Sequence, residues 1–193
     1  MSKGLKLTDV LVTIVIAIVF GIIYKLWGPL YAFVKPFGLQ LDQLIYGMWF
    51  IAATVAFLII RKPGVAFLAE FAAASGEFLM GSEWGLQVLM SGVVQGLFAE
   101  FIFMAFRYKR FDIMIVSLAA IGSAIGSLIM DYYNGYIGDL ALWNLSLLVG
   151  FRFIGSILIA GVGAYYLVKA LEATGVTSLV RPTTKQDYDA LDQ

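Results

Sequence analysis

Hydrophobic positions in this chain come in long runs separated by short polar punctuation. A segment that crosses a bilayer needs about 20 mostly apolar residues, and the chain offers six such runs, over Thr8–Trp27, Leu39–Ile60, Gly64–Met80, Leu86–Phe106, Ile113–Met130 and Trp143–Val168. The third is short, and Glu70 and Glu77 interrupt it. Turn signals divide the runs: "WGP" at 27–29, "KP" at 35–36, "RKPG" at 61–64, "GSEWG" at 81–85 and "YNGYIGD" at 133–139. The pattern predicts an all-α integral membrane protein. It forms one membrane domain over 1–193, a bundle of six helices, with a polar tail over 172–193. The first run follows Lys3 and Lys6 without a small-residue cleavage site, and reads as a retained helix rather than a signal peptide.

Composition supports that class. The chain is 61% hydrophobic and 13% charged, where a soluble domain carries about a quarter charged residues. Its net charge is zero, which gives no basis for nucleic-acid binding. It has neither histidine nor cysteine. That excludes disulfides, imidazole or thiolate metal sites, haem ligation by those residues and His-activated nucleophiles. No GxxxxGK[ST] phosphate loop occurs. No cofactor is expected.

Basic residues fix the expected orientation. Lys3, Lys6, Arg61, Lys62, Arg107, Lys109, Arg110, Lys169, Arg181 and Lys185 fall on one side, against Lys25 and Lys35 on the other. The positive-inside rule then puts both termini in the cytoplasm. Asp42, Glu83, Asp131 and Asp139 lie near the outer side, a sink for a cation.

Ionisable groups inside a span are costly and point to function. Glu70, Glu77, Glu100 and Arg152 are the candidates. Glu70 and Glu77 share a helix face about 10 Å apart along the axis. Glu70, Glu100 and Arg152 read as structural ion pairs, Arg152 with Glu70 or Glu100. Glu77, near Glu83 and Trp84, reads as a ligand group.

Asp42, Tyr46, Trp49 and Ala53 follow the spacing of one α-helical face. With Trp84, Gln95, Asn134, Tyr136, Trp143 and Asn144 they place aromatics, amides and carboxylates in the outer half. Tyr and Trp alone would make an interfacial belt. Mixed with amides and acids, they also suit a small flat cationic heterocycle, held by aromatic faces and amide hydrogen bonds. In the first run Thr13, Ala17 and Gly21 form a small-residue seam for close helix contact, within the bundle or against another subunit.

The whole chain, about 190 residues with the "AIVFG" seam in its first helix, resembles the S components of energy-coupling factor (ECF) vitamin transporters. The likeness is to the thiamine and hydroxymethylpyrimidine (HMP), or YkoE-like, type. The resemblance implies a substrate-capture subunit of an ATP-driven importer in the bacterial plasma membrane, not an enzyme. Its partners would be a transmembrane coupling subunit and cytoplasmic ATPases. It implies that the Thr13–Ala17–Gly21 face packs on the coupling subunit. It also implies a pocket under the segment joining the first two helices, with Glu77 or Glu83, Asn144, and Trp84, Trp143 or the tyrosines of 132–136 in it. The histidine of some thiamine binders has no counterpart. The rival readings are a stand-alone proton-coupled organic-cation transporter using Glu70, Glu77 and Glu100, and a ligand-free membrane scaffold.

Overall fold

A computed structural model describes residues 4–180. Lys3, Arg181, Lys185 and the tail beyond Val180 lie outside the described residues. Among those described there is no strand. The helices are α1 (Leu7–Val34), α2 (Ile51–Ile60), α3 (Val65–Leu79), α4 (Gln87–Ala105), α5 (Ile113–Tyr133), α6 (Leu142–Ser156) and α7 (Ala164–Ala173). A 3₁₀ helix over Leu41–Phe50 runs directly into α2, and a π-helical stretch over Ile157–Gly163 joins α6 to α7. Among the described residues five continuous segments are long and apolar enough to cross a membrane: Leu7–Phe37, Leu41–Ile60, Gln87–Ala105, Ile113–Tyr133 and Leu142–Ala173. The helix at the third expected span, α3, has 15 residues, about 22 Å at 1.5 Å per residue, short of a hydrocarbon core about 30 Å thick.

Hydropathy explains who sits where. All ten residues of α2 are buried, as befits a helix that is apolar all round; it is the centre of the bundle. α1 is two-faced. Asp9, Thr13, Ile16, Ala17, Phe20, Gly21 and Tyr24 are buried, while Leu11, Val15, Ile18, Ile22 and Leu26 are exposed.

The Thr13–Ala17–Gly21 seam faces inward. A Cβ added to Gly21 would lie 3.0 Å from the Ala73 carbonyl oxygen and 3.2 Å from Gly76 Cα. The seam is therefore filled by the small residues of α3, and the expected contact of this face with a coupling subunit is corrected. The run "AAASG" in α3 is its complement.

The first helix also continues past the expected break at "WGP". Pro29 lies inside α1. A proline removes one backbone bond, which membrane helices tolerate when neighbours hold the chain. Here the Trp27 indole N–H donates to the Ile45 carbonyl at 2.9 Å, and Lys25 Nζ donates to the Gly81 carbonyl at 2.7 Å. The segment expected to join the first two helices, 28–38, is thus helical to Val34 and then a 3₁₀ turn over Lys35–Phe37.

Arg61, Lys62, Arg107, Lys109, Arg110 and Lys169 gather at the end of the bundle where α2, α4 and α7 finish. At that end Lys62 forms an ion pair with the buried Asp9, and Arg61 pairs with Glu172 at 3.2 Å. The turns joining α1 to the 3₁₀ helix, α3 to α4 and α5 to α6 make up the other end, and the main cavity lies there.

Candidate functional site

The 3₁₀ helix sets the first wall of the cavity. With three residues per turn, side chains at i and i+3 eclipse, and runs this long are uncommon. Gln43, Tyr46 and Trp49 therefore stand in one column, and all three line the cavity. The segment is held by a very close crossing with α6. A Cβ on Gly47 would come 2.7 Å from Ser156 Cα, and one on Gly155 would collide with the Leu44 backbone. Only glycines fit.

The cavity holds about 360 Å³, within the usual size for a small-molecule site. Its buried part is lined by Tyr24, Trp49, Glu70, Glu77, Gln95 and Arg152. Trp84 and Tyr136, 38% and 49% exposed, stand at its mouth, with ring centroids 6.3 Å apart. The Tyr136 hydroxyl donates to Gln87 Oε1 at 2.6 Å. Tyr31, Tyr46 and Trp49 form an aromatic corner, with centroid separations of 5.2–5.9 Å.

Arg152 anchors one wall. Its Nη1 pairs with Asp131 at 2.6 Å and donates to Ser127 Oγ at 3.0 Å. Its Nε donates to Gln43 Oε1 at 2.8 Å, and its Nη2 bonds the same oxygen. Gln43 Nε2 in turn donates to Tyr31 Oη at 2.8 Å and to Asp42 Oδ2 at 2.6 Å. The guanidinium lies 3.8 Å from the Tyr46 ring centroid. Every polar group in this network has a partner.

The ion pair expected between Arg152 and Glu70 or Glu100 does not form. Asp131, from the neighbouring α5, takes the guanidinium. Glu100 instead accepts from the N–H of Gly64 and, at 3.2 Å, from that of Phe67. It caps the start of α3, where helical N–H groups lack partners.

α3 supplies the opposite wall. Glu77, 3% exposed, accepts from Ser82 Oγ at 3.0 Å. Glu70, 1% exposed, accepts through Oε2 from the Tyr24 hydroxyl at 3.0 Å and the Ala53 N–H at 3.2 Å. Its Oε1 has no partner. Among the described residues neither carboxylate lies within ion-pair distance of a cation. A buried acceptor left unmade costs about 1–3 kcal/mol. Glycines make the approach of α4 possible here: a Cβ on Gly96 would sit 3.0 Å from Glu70 Cβ.

Of the residues expected at the site, Tyr46, Trp49, Glu77, Trp84, Gln95, Asn134 and Tyr136 line the cavity. Three do not. Trp143 is 63% exposed. Glu83 is exposed and borders only a small recess of about 10 Å³ beside Lys25 and Trp84. Asn144 stands behind the lining and accepts from Gln40 Nε2 at 3.0 Å. Sequence reasoning missed Tyr24, Tyr31, Gln40 and Gln43 as lining residues, and it assigned Glu70 and Arg152 only a structural part. The available signal was "LQLDQL", a polar cluster at the start of an apolar run.

Comparisons with known proteins bear on the family of the chain. The family described as "ABC-type cobalt transport system, permease component" matches residues 8–126. A Bacillus subtilis (strain 168) protein provisionally named HMP/thiamine permease protein YkoE is 37% identical over 178 residues, covering 90% of this chain and 88% of that protein. A crystal structure of an S component of an ECF transporter superposes with a TM-score of 0.87 at 34% identity, over 91% of this chain and 89% of that one. The cobalt in the first description finds no donor set here: among the described residues no three His, Cys, Asp or Glu side chains group to hold a metal.

Proposed function

The chain belongs to the S components of ECF transporters, in the HMP/thiamine permease group, and from that premise we propose that it captures thiamine, or its HMP precursor, in the cavity at the end of the bundle opposite the start of α1 and the end of α7. S components are multi-pass membrane subunits of vitamin transport. The observation that carries the finer reading is the make-up of the cavity. Two carboxylates without an ion-pair partner among the described residues face a corner of three aromatic rings in about 360 Å³.

Each part has a task. The tyrosine and tryptophan faces attract an organic cation and stack on a flat ring. Glu77 balances positive charge in a place from which water is largely removed, where such an interaction is strongest. Gln95 and Asn134 offer both donors and acceptors to ring nitrogens. No bond in the ligand is made or broken. The cavity faces the outside of the bacterial plasma membrane, with the termini in the cytoplasm. A transmembrane coupling subunit and cytoplasmic ATPases supply the work of uptake.

Trp49 and Trp84 line the cavity, so ligand entry is readable by tryptophan fluorescence. Titrating the detergent-purified chain with thiamine, HMP, riboflavin and choline should give saturable quenching by the first two only. Absence of saturable binding by folded protein, or equal binding of riboflavin, would overturn the assignment.

A further inference from the structure

Glu70 Oε1 is the single buried side-chain nitrogen or oxygen atom among the described residues that lacks a hydrogen-bond partner. Its residue lines the cavity and lies two helical turns further from the mouth than Glu77, about 10 Å along α3. The other carboxyl oxygen is fully engaged by Tyr24 and the Ala53 N–H. These two donors, from α1 and the start of α2, lock the carboxyl group in place.

Resting on the vitamin-capture reading, we propose that Glu70 Oε1 accepts the N–H of the ligand's exocyclic amino group. The aminopyrimidine end then enters first, and the remainder of the ligand lies towards Glu77 and Trp84. A carboxylate oxygen is acceptor-only, and an amino group on a pyrimidine is a donor. Tyr24 is then a positioning residue, acting through Oε2.

A purely structural Glu70 makes a different prediction. Bracketing Tyr24 to α2 needs one oxygen, and glutamine has one. In Glu70→Gln the amide oxygen keeps both bonds, while an NH₂ replaces Oε1. The fold is kept on either account. Ligand recognition is inverted only on ours, because donor would meet donor.

The experiment uses the full chain in detergent. It is titrated with thiamine, with HMP and with oxythiamine, in which an exocyclic oxo group replaces the amino group. The wild type should favour thiamine over oxythiamine at least tenfold. Glu70→Gln should lose at least tenfold in affinity for thiamine and HMP, about 1.4 kcal/mol, and should lose the preference for amino over oxo. Thiamine binding that Glu70→Gln leaves unchanged, or an amino preference that survives it, overturns this inference and leaves the vitamin reading standing. A wild type that binds none of the three overturns the vitamin reading itself. Should Glu70→Gln fail to fold, the wild type decides: equal affinity for thiamine and oxythiamine overturns the proposal. Tyr24→Phe should weaken thiamine more than oxythiamine, and equal losses for both count against it.

Discussion

The α6 wall and the α3 wall of the cavity both bury ionisable side chains, and they treat them in opposite ways. Arg152 is enclosed by Asp131, Gln43 and Ser127, with Tyr46 against its face. Glu70 and Glu77 are equally sunk, yet one carboxyl oxygen of Glu70 has no partner and neither residue forms an ion pair among the described residues. A closed network holds shape. An open one is a place for something to bind. Where charges are buried, completeness of pairing separates scaffold from site more sharply than burial does.

The largest effect that tests this contrast is on stability. Arg152→Leu would strand Asp131 and the Gln43 amide. Removing one partner of a buried pair costs about 3–5 kcal/mol. Unfolding of the purified chain by heat or denaturant in detergent should register that loss. Arg152→Lys should recover only part, since one ammonium cannot span Asp131, Ser127 and Gln43 as a planar fork does. A stable Arg152→Leu chain would show that this wall does not hold the bundle.

The same wall shows what the sequence could and could not convey. Tyr46 and Trp49 were found because both α and 3₁₀ periods put them on one side. Gln43 was missed because an α period selects Asp42 instead; the switch to three residues per turn comes from the Gly47–Gly155 crossing, a tertiary fact. Arg152 was legible as one half of a buried ion pair but its partner was not. Asp131 sits in "MDYYNGY", which reads as a turn, and only the packing of α5 beside α6 brings the two together. The long apolar runs, by contrast, carried the membrane class and the helical architecture directly. The α1 seam was visible but its occupant was not, because two small-residue stripes must be matched in space.

That seam gives the next effect. Gly21→Val adds bulk where a Cβ alone would come within 3.0 Å of the Ala73 carbonyl. Overpacking of this kind costs about 1–3 kcal/mol. The loss should appear as lower thermal stability of the chain alone, in the absence of any partner subunit. Unchanged stability, with loss only of assembly, would return the seam to a role between subunits.

On the open wall the effects move from stability to binding. Glu77→Gln keeps an acceptor for Ser82 and removes the charge. Folding should change little, while thiamine should bind at least tenfold more weakly, about 1.4 kcal/mol. HMP, which lacks the fixed thiazolium charge, should lose less. Equal losses for both ligands would mean that Glu77 does not answer the cation.

The smallest effect concerns Asn144, a residue that the resemblance implied in the pocket. Asn144 does not line the cavity; it accepts a hydrogen bond from Gln40, which does. Gln40 and its neighbour Leu39 both have φ in the left-handed region, 58° and 52°, conformations that cost energy in residues other than glycine. Asn144→Ala removes the acceptor that steadies this turn but touches no ligand. A half-buried hydrogen bond of this kind is worth about 0.5–1.5 kcal/mol to the fold, and only a fraction can reach a ligand through the Gln40 side chain. Thiamine affinity should therefore fall no more than about threefold, under 0.7 kcal/mol. Asn134→Ala, in the lining itself, should cost more. If Asn144→Ala proved the more damaging of the two, Gln40 would have to leave its bond and let Asn144 into the cavity when ligand binds. The turn after α1 would then belong to the open wall rather than to the frame.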